Sequence, residues 1–210
     1  MPREPLYELF AHQRPIHYKK GQIIIRDDET PQGVYLIKTG YIRIYNLANN
    51  GSEDTHCVLK PPELFPLSWI MNGHQNYYHE AWTDAELLRV PKTEILHSVQ
   101  TNQEVAIGLL RQFSKRLNIY QGRLNNFQFD SAYKRVICRL LFLSQRFGES
   151  QAAGKVITVP FTHELIANSI NISRETMSRQ FEILKNKGLV AYFNHRIIII
   201  DVKKLKKELL

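Results

Sequence analysis

The chain has 210 residues, 43% of them hydrophobic and 23% charged, with a formal net charge of +8 at neutral pH. That balance suits a globular protein of one large or two small domains and excludes a disordered chain. No apolar run approaches the ~18–20 residues of a membrane span. Met1–Phe10 carries Arg3, Glu4 and Glu8 instead of a secretory apolar segment, and two cysteines are too few for a disulfide framework or a four-cysteine cluster, so a cytoplasmic protein is expected.

The first ~100 residues read as β. Gln22–Ile25 is an apolar run behind Gly21, and Val34–Ile37 follows the turn-like Thr30-Pro31-Gln32-Gly33. Tyr41–Tyr45 alternates behind Gly40, Asn49-Asn50-Gly51-Ser52 is a turn before His56–Leu59, and Ala85–Val90 closes the series. Short strands punctuated by glycine predict an antiparallel roll or sandwich. The period then changes: Ala106, Leu110, Phe113, Leu117, Tyr120, Leu124 and Phe127 are spaced alternately by four and three, a heptad seam with no proline. The narrow stripe suits an identical helix across a two-fold axis, with one buried helix as the alternative. Val105, Leu109 and Ile119 form a second apolar flank that could pack on the β module.

Asp130-Ser131 breaks the seam and starts a helix through Arg146, ended by Gly148; Ser150–Gly154 reads as a polar loop. Thr162 caps a short helix, His163–Ser169, with Leu165, Ile166 and Ile170 on its apolar side. Asn171 stands where a tight turn needs a left-handed residue, and Ser173 caps a second helix, Arg174–Asn186, closed by Gly188. Met177, Phe181 and Leu184 face inward, leaving Arg174, Glu175, Ser178 and Arg179 on the outer turns. Leu189–Phe193, the turn Asn194-His195 and Arg196–Ile200 follow as a two-stranded wing, with His195 and Arg196 at a phosphate-reaching tip. Residues 131–210 hold 14 Lys and Arg against 6 Asp and Glu, whereas residues 1–130 hold 14 of each, so the whole excess charge lies on the module built for a polyanion. Helix, short turn and helix with polar first turns is a major-groove reader; Arg pairs with guanine O6 and N7, and Glu accepts from cytosine N4.

The run Thr162-His163-Glu164 … Asn171-Ile172-Ser173-Arg174-Glu175-Thr176-Met177-Ser178-Arg179 resembles the winged helix-turn-helix of the CRP/FNR transcription regulators. The resemblance extends along nearly the whole chain. It implies an α+β protein: a cyclic-nucleotide-binding-like antiparallel β-roll (residues 1–100), a long dimerisation helix (101–129) and a C-terminal winged helix-turn-helix (130–210). It further implies a homodimer on duplex DNA with RNA polymerase as a partner. Carried over by position, Arg174, Glu175, Ser178 and Arg179 match base-contacting residues, and Thr162, Ser173 and Thr176 match phosphate-contacting neighbours. Glu175-x-x-Ser178-Arg179 is similar to the FNR side and Arg174 to the CRP side, so the half-site is expected to hold the GA step common to TTGA and TGTGA. Leu110, Phe113, Leu117, Tyr120 and Leu124 would form the dimer interface.

The sensor stretch departs from the cyclic-nucleotide pattern. Pro66-Leu67 stands where Gly-Glu is expected, and residues 64–88 contain no Lys or Arg for a cyclic phosphate, so cyclic AMP is not expected. An iron–sulfur cluster is not expected either, because residues 1–56 contain no cysteine; Cys57 and Cys138 read as small buried residues. Haem, which has no short ligand motif, is left open. No His-x-His pair marks a metal, and His74 and His79 read as solvated loop residues. Phe65, Trp69, Tyr77, Tyr78 and Trp82 either fill the roll or line a pocket for an uncharged effector. No enzyme motif is present. The rival reading is a sensing or scaffold protein whose basic module meets RNA or protein; Lys203, Lys204, Lys206 and Lys207 read as a solvated face.

Overall fold

The computed structural model describes residues 4–48, 51, 53–73, 76–124, 128–129 and 131–209. The chain divides into two compact units, Met1–Asn118 and Ile119–Leu210.

The first unit begins with α1 (Pro5–Glu8), β1 (Ile16–Tyr18), β2 (Ile23–Ile25), β3 (Val34–Thr39), β4 (Ile42–Leu47) and β5 (Glu53–Leu59). It continues with β6 (Leu64–Phe65), α2 (Leu67–Asn72), β7 (Tyr78–Ala81), β8 (Ala85–Val90), α3 (Lys92–Thr101) and α4 (Gln103–Leu124). Two antiparallel sheets of four strands result, ordered β1-β8-β3-β6 and β2-β7-β4-β5. These non-sequential neighbours are the signature of a roll. At the β3–β4 turn, Gly40 has φ +84, and a Cβ there would collide with the Asp84 carbonyl oxygen, so both the turn and the close approach require glycine.

Strands expected in the sequence form β2, β3, β4, β5 and β8, while β1, β6 and β7 are additional. Tyr78-His79-Glu80-Ala81 lacks a β-branched residue; its strand state comes from pairing on both edges, with Ile44 opposite His79 and Glu80 opposite both Arg43 and Ile23. A core of Leu6, Phe10, Leu36, Leu64, Ile70, Leu88 and Ile95 is closed by Val105 and Leu109 from α4, two members of the expected second flank. Ile119, the third, is buried and begins the second unit. A polar tie lies beside this core. Gln112 of α4 is 2% exposed; its amide donates to the Tyr7 hydroxyl (2.8 Å) and the Pro62 carbonyl (3.1 Å) and accepts from the Leu64 N–H (3.4 Å). Arg116, one turn on, donates to the Leu64 carbonyl at 3.3 Å.

The second unit contains α5 (Ala132–Phe147), β9 (Gly148–Gln151), β10 (Gly154–Ile157), α6 (His163–Ser169), α7 (Arg174–Asn186), β11 (Val190–Phe193), β12 (Arg196–Ile199) and α8 (Val202–Lys207). The expected polar loop at 150–154 is a hairpin instead. β10 pairs on its other edge with β12, giving a sheet ordered β11-β12-β10-β9, and this tertiary pairing overrides the polar composition of Glu149-Ser150-Gln151. Val136, Leu140, Ile157, Ile166, Met177, Leu184, Ile199 and Leu205 make the core. No helix among the described residues is long and apolar enough to cross a membrane.

Candidate nucleic-acid interface

The helix pair is set by its caps. The Thr162 hydroxyl accepts from the Leu165 N–H (3.1 Å), and the Ser173 hydroxyl accepts from the Thr176 N–H (3.1 Å), each satisfying a donor at a helix start. Between the helices Asn171 adopts φ +52, as its place in the turn requires. Arg135 of α5 donates to the turn carbonyls of Ile170 (3.3 Å) and Asn171 (3.5 Å), tying the turn to α5. The Arg135 contact leaves no trace in the local pattern, because it spans 35 residues.

On α7, Met177, Phe181 and Leu184 are buried. With 3.6 residues per turn, Arg174, Glu175 and Arg179 fall away from that stripe, and all three are exposed. Ser178 and Thr176 are half-buried at the edges of the stripe. The Ser173 and Thr176 hydroxyls lie 3.1 Å apart, and Ser178 is bound to His163 Nδ1 at 3.0 Å. Glu175 lies in the first turn, where its own backbone N–H, the Ser173 hydroxyl and Arg174 hold its carboxyl below the usual range. The α7 surface therefore offers guanidinium donors around an ionised carboxylate acceptor, the two complements needed for guanine and cytosine edges.

β11 and β12 form the wing. Asn194 and His195 have φ +47 and +59, the pair of positive values a two-residue hairpin turn needs. His195 and Arg196 are exposed at this tip. In α8, Asp201 accepts from the N–H groups of Lys203 (2.9 Å) and Lys204 (3.0 Å); Leu205 is buried and the four lysines are exposed.

On α4, Leu110, Leu117 and Leu124 are 66%, 57% and 63% exposed. Ala106, Phe113 and Tyr120 between them are half-buried, Phe113 against the core of the first unit. Phe127 lies outside the described residues.

The five aromatic side chains of the sensor stretch pack at several places in the roll. Phe65 stacks between Tyr35 and His79, each ring centroid 5.2 Å away. Trp69 packs in the α2 core with the Lys92 ammonium 4.8 Å from its ring, Tyr78 stacks on Tyr45, and Tyr77 meets the edge of His56. Trp82 lies beside the Arg43 guanidinium, which is itself paired at 2.6 Å with both Glu53 and Glu80. A cavity of about 280 Å³ is lined by Ile24, Ile25, Glu29, Thr30, Pro31, Gln32 and Tyr35, and by none of the five. His79 corrects the sequence expectation. It lies on β7 and is buried, because strand alternation turns it inward; burial, then Arg116, lowers its pKa from 6.5 to about 3. His74 lies outside the described residues. Cys57 is buried and Cys138 half-buried, and among the described residues no group of three His, Cys, Asp or Glu could hold a metal ion.

Residues 134–208 match the model of the Crp-like helix-turn-helix domain, and residues 15–102 match that of the cyclic nucleotide-binding domain. The chain belongs to the CRP/FNR family of transcription regulators. It is 29% identical over 190 residues to the cyclic AMP receptor protein of Thermus thermophilus, covering 90% of this chain and 84% of that one. It is 24% identical over 196 residues to the CRP-like cAMP-activated global transcriptional regulator of Mycobacterium tuberculosis, covering 93% and 88%. A solved CRP-family transcriptional regulator, also from Thermus thermophilus, superposes with a TM-score of 0.77 at 21% identity, over 92% of this chain and 96% of the other. In this CRP/FNR chain the expected α+β fold is present: a roll of antiparallel sheets, a long α4, and a helix-turn-helix followed by a wing.

Proposed function

We propose that the chain is a homodimeric regulator that reads two-fold-related half-sites on duplex DNA, each holding a GA step. The observation that carries this is the division of α7: Met177, Phe181 and Leu184 are buried while Arg174, Glu175 and Arg179 stand exposed along one side. In this reading Arg174, Glu175, Ser178 and Arg179 contact base edges. Thr162, Ser173, Thr176, His195 and Arg196 contact phosphates, which set register without reading sequence. Leu110, Phe113, Leu117, Tyr120 and Leu124 meet their copies across the two-fold axis, supported by the exposure of the three leucines. RNA polymerase is the further partner and the cytoplasm the compartment.

Three observations support a reading without a cyclic nucleotide. Residues 64–88 offer no cation, Arg43 is taken up by Glu53 and Glu80, and the Phe65 ring is stacked between Tyr35 and His79. The proposed regulator thus works without cyclic AMP, an iron–sulfur cluster or any catalytic step, and its dimer is competent for DNA as it stands.

The test is selection of bound sequences from random duplex DNA by the full chain, without added ligand and at stated salt. A palindrome with GA-containing half-sites centred about one helical turn (~34 Å) apart is expected. Recovery of no sequence above background would count against the reading and leave the basic unit to RNA or protein.

A further inference from the structure

We propose that His163 is a positioning residue for base readout: its Nδ1 accepts a hydrogen bond from the Ser178 hydroxyl, so Ser178 meets the major groove through oxygen lone pairs and selects adenine or cytosine. The inference deepens the DNA-reading function proposed above and rests on it.

His163 opens α6, and Ser178 lies in the second turn of α7, 15 residues away, with Nδ1 and Oγ 3.0 Å apart. Three elements hold the imidazole in place. Besides its own helix, the Phe181 ring of α7 lies 4.8 Å from it, centroid to centroid, and the Tyr192 ring of β11 lies 6.1 Å from it. Burial, followed by the neighbouring Arg174, lowers the His163 pKa. The ring is therefore neutral at pH 7, with one nitrogen a donor and the other an acceptor. Nδ1 is engaged by Ser178; Nε2 has no hydrogen-bond partner among the described residues. A proton on Nε2 can reach water or a DNA phosphate, and the bond made by one ring nitrogen sets the state of the other. In this tautomer Nδ1 is the acceptor, and the Ser178 O–H is committed to it.

A serine hydroxyl has one proton and two lone pairs. Free to rotate, it serves donor and acceptor edges alike, which is why serine reads bases weakly. With that proton directed at His163 Nδ1, only lone pairs face outward. The major-groove donors they can meet are the exocyclic amino groups, adenine N6 and cytosine N4. His163 in this way turns an indifferent hydroxyl into a selective one while lying at the flank of the recognition surface.

The experiment is the same selection run with the wild type, His163→Phe, Ser178→Ala and the double variant. Phenylalanine keeps a ring against Phe181 and Tyr192 and removes the nitrogen. The wild type should favour adenine or cytosine at one base of each half-site by about three- to tenfold, the worth of one hydrogen bond. Each single variant should lose that preference at that base alone, with the GA step and the Arg179-dependent base retained, and the double variant should lose no more. A His163→Phe profile that keeps the preference Ser178→Ala removes would overturn the proposal. So would a wild-type preference for guanine or thymine there. Loss of every preference in His163→Phe, with Ser178→Ala otherwise intact, would make His163 structural only and also overturn it. A wild type that recovers no motif would instead remove the DNA-reading function, and this proposal with it.

Discussion

Truncating the three exposed leucines of α4 together, Leu110→Ala, Leu117→Ala and Leu124→Ala, should turn the proposed dimer into monomers. Each side chain is about three-fifths exposed in the protomer, and full burial of a leucine is worth roughly 1.5–3 kcal/mol. The part still to be buried contributes about 1–2 kcal/mol per leucine, hence about 6–12 kcal/mol for the six that would meet across a two-fold axis. Alanine keeps only Cβ, so most of this is lost, and at ~1.4 kcal/mol per tenfold the dimer dissociation constant should rise by at least about three orders of magnitude. The isolated protomer should barely notice, since exposed substitutions outside the core cost about 0.5 kcal/mol or less and alanine is the better helix former. Sedimentation equilibrium over a wide concentration range measures the constant, with circular dichroism as the check on folding. A folded triple variant that dimerises within tenfold of the wild type would refute the seam as the contact.

Four further outcomes are expected. Arg179→Ala should cost about 1–3 kcal/mol at one base pair and relax preference there, whereas Arg196→Ala should weaken all sequences alike and lower the salt slope by about one; both are read by anisotropy titrations on operator and scrambled duplexes. Gln112→Ala strands the buried Tyr7 hydroxyl and the Leu64 N–H, at about 1–3 kcal/mol per group, so denaturation followed by the fluorescence of Trp69 and Trp82 should show a loss of about 2–6 kcal/mol; an unchanged midpoint would contradict the tie. The unfolded chain protonates His79 near pH 6.5 and the folded one only near pH 3. Between those values the unfolded state binds more protons, and stability falls as pH falls. Compared with His79→Phe, the wild type should lose about 1.4 kcal/mol per pH unit below pH 6.5, and parallel stability curves would refute the burial.

Features carried by local chemistry were legible in the sequence. Thr162, Asn171, Ser173 and Gly188 announce the caps and turns of α6 and α7, and the four–three spacing of the α4 seam announces a helix with an unburied stripe. Elements held by distant partners were not. β7 exists because β2 and β4 pair with its two edges, and β9 exists because β10 is anchored on β12. For the same reason His79 read as a loop residue and is a core one. Within the candidate interface, Arg174, Glu175 and Arg179 were visible from helical spacing alone, but the His163–Ser178 bond was not, since nothing in either short segment signals that the two helices bring these side chains to 3.0 Å. Likewise the window 64–88 shows no cation, although the fold brings Arg116 from α4 to the Leu64 carbonyl.

The central claim, that two copies of the chain read one duplex through paired α7 helices, is tested most directly by titrating the full chain against a palindromic duplex and the same duplex with one half-site scrambled. Mass and affinity of each complex are measured at the same salt. The account predicts two chains per palindrome and a large loss of affinity on scrambling, toward non-specific binding. One chain per duplex, bound equally well to both, would contradict it.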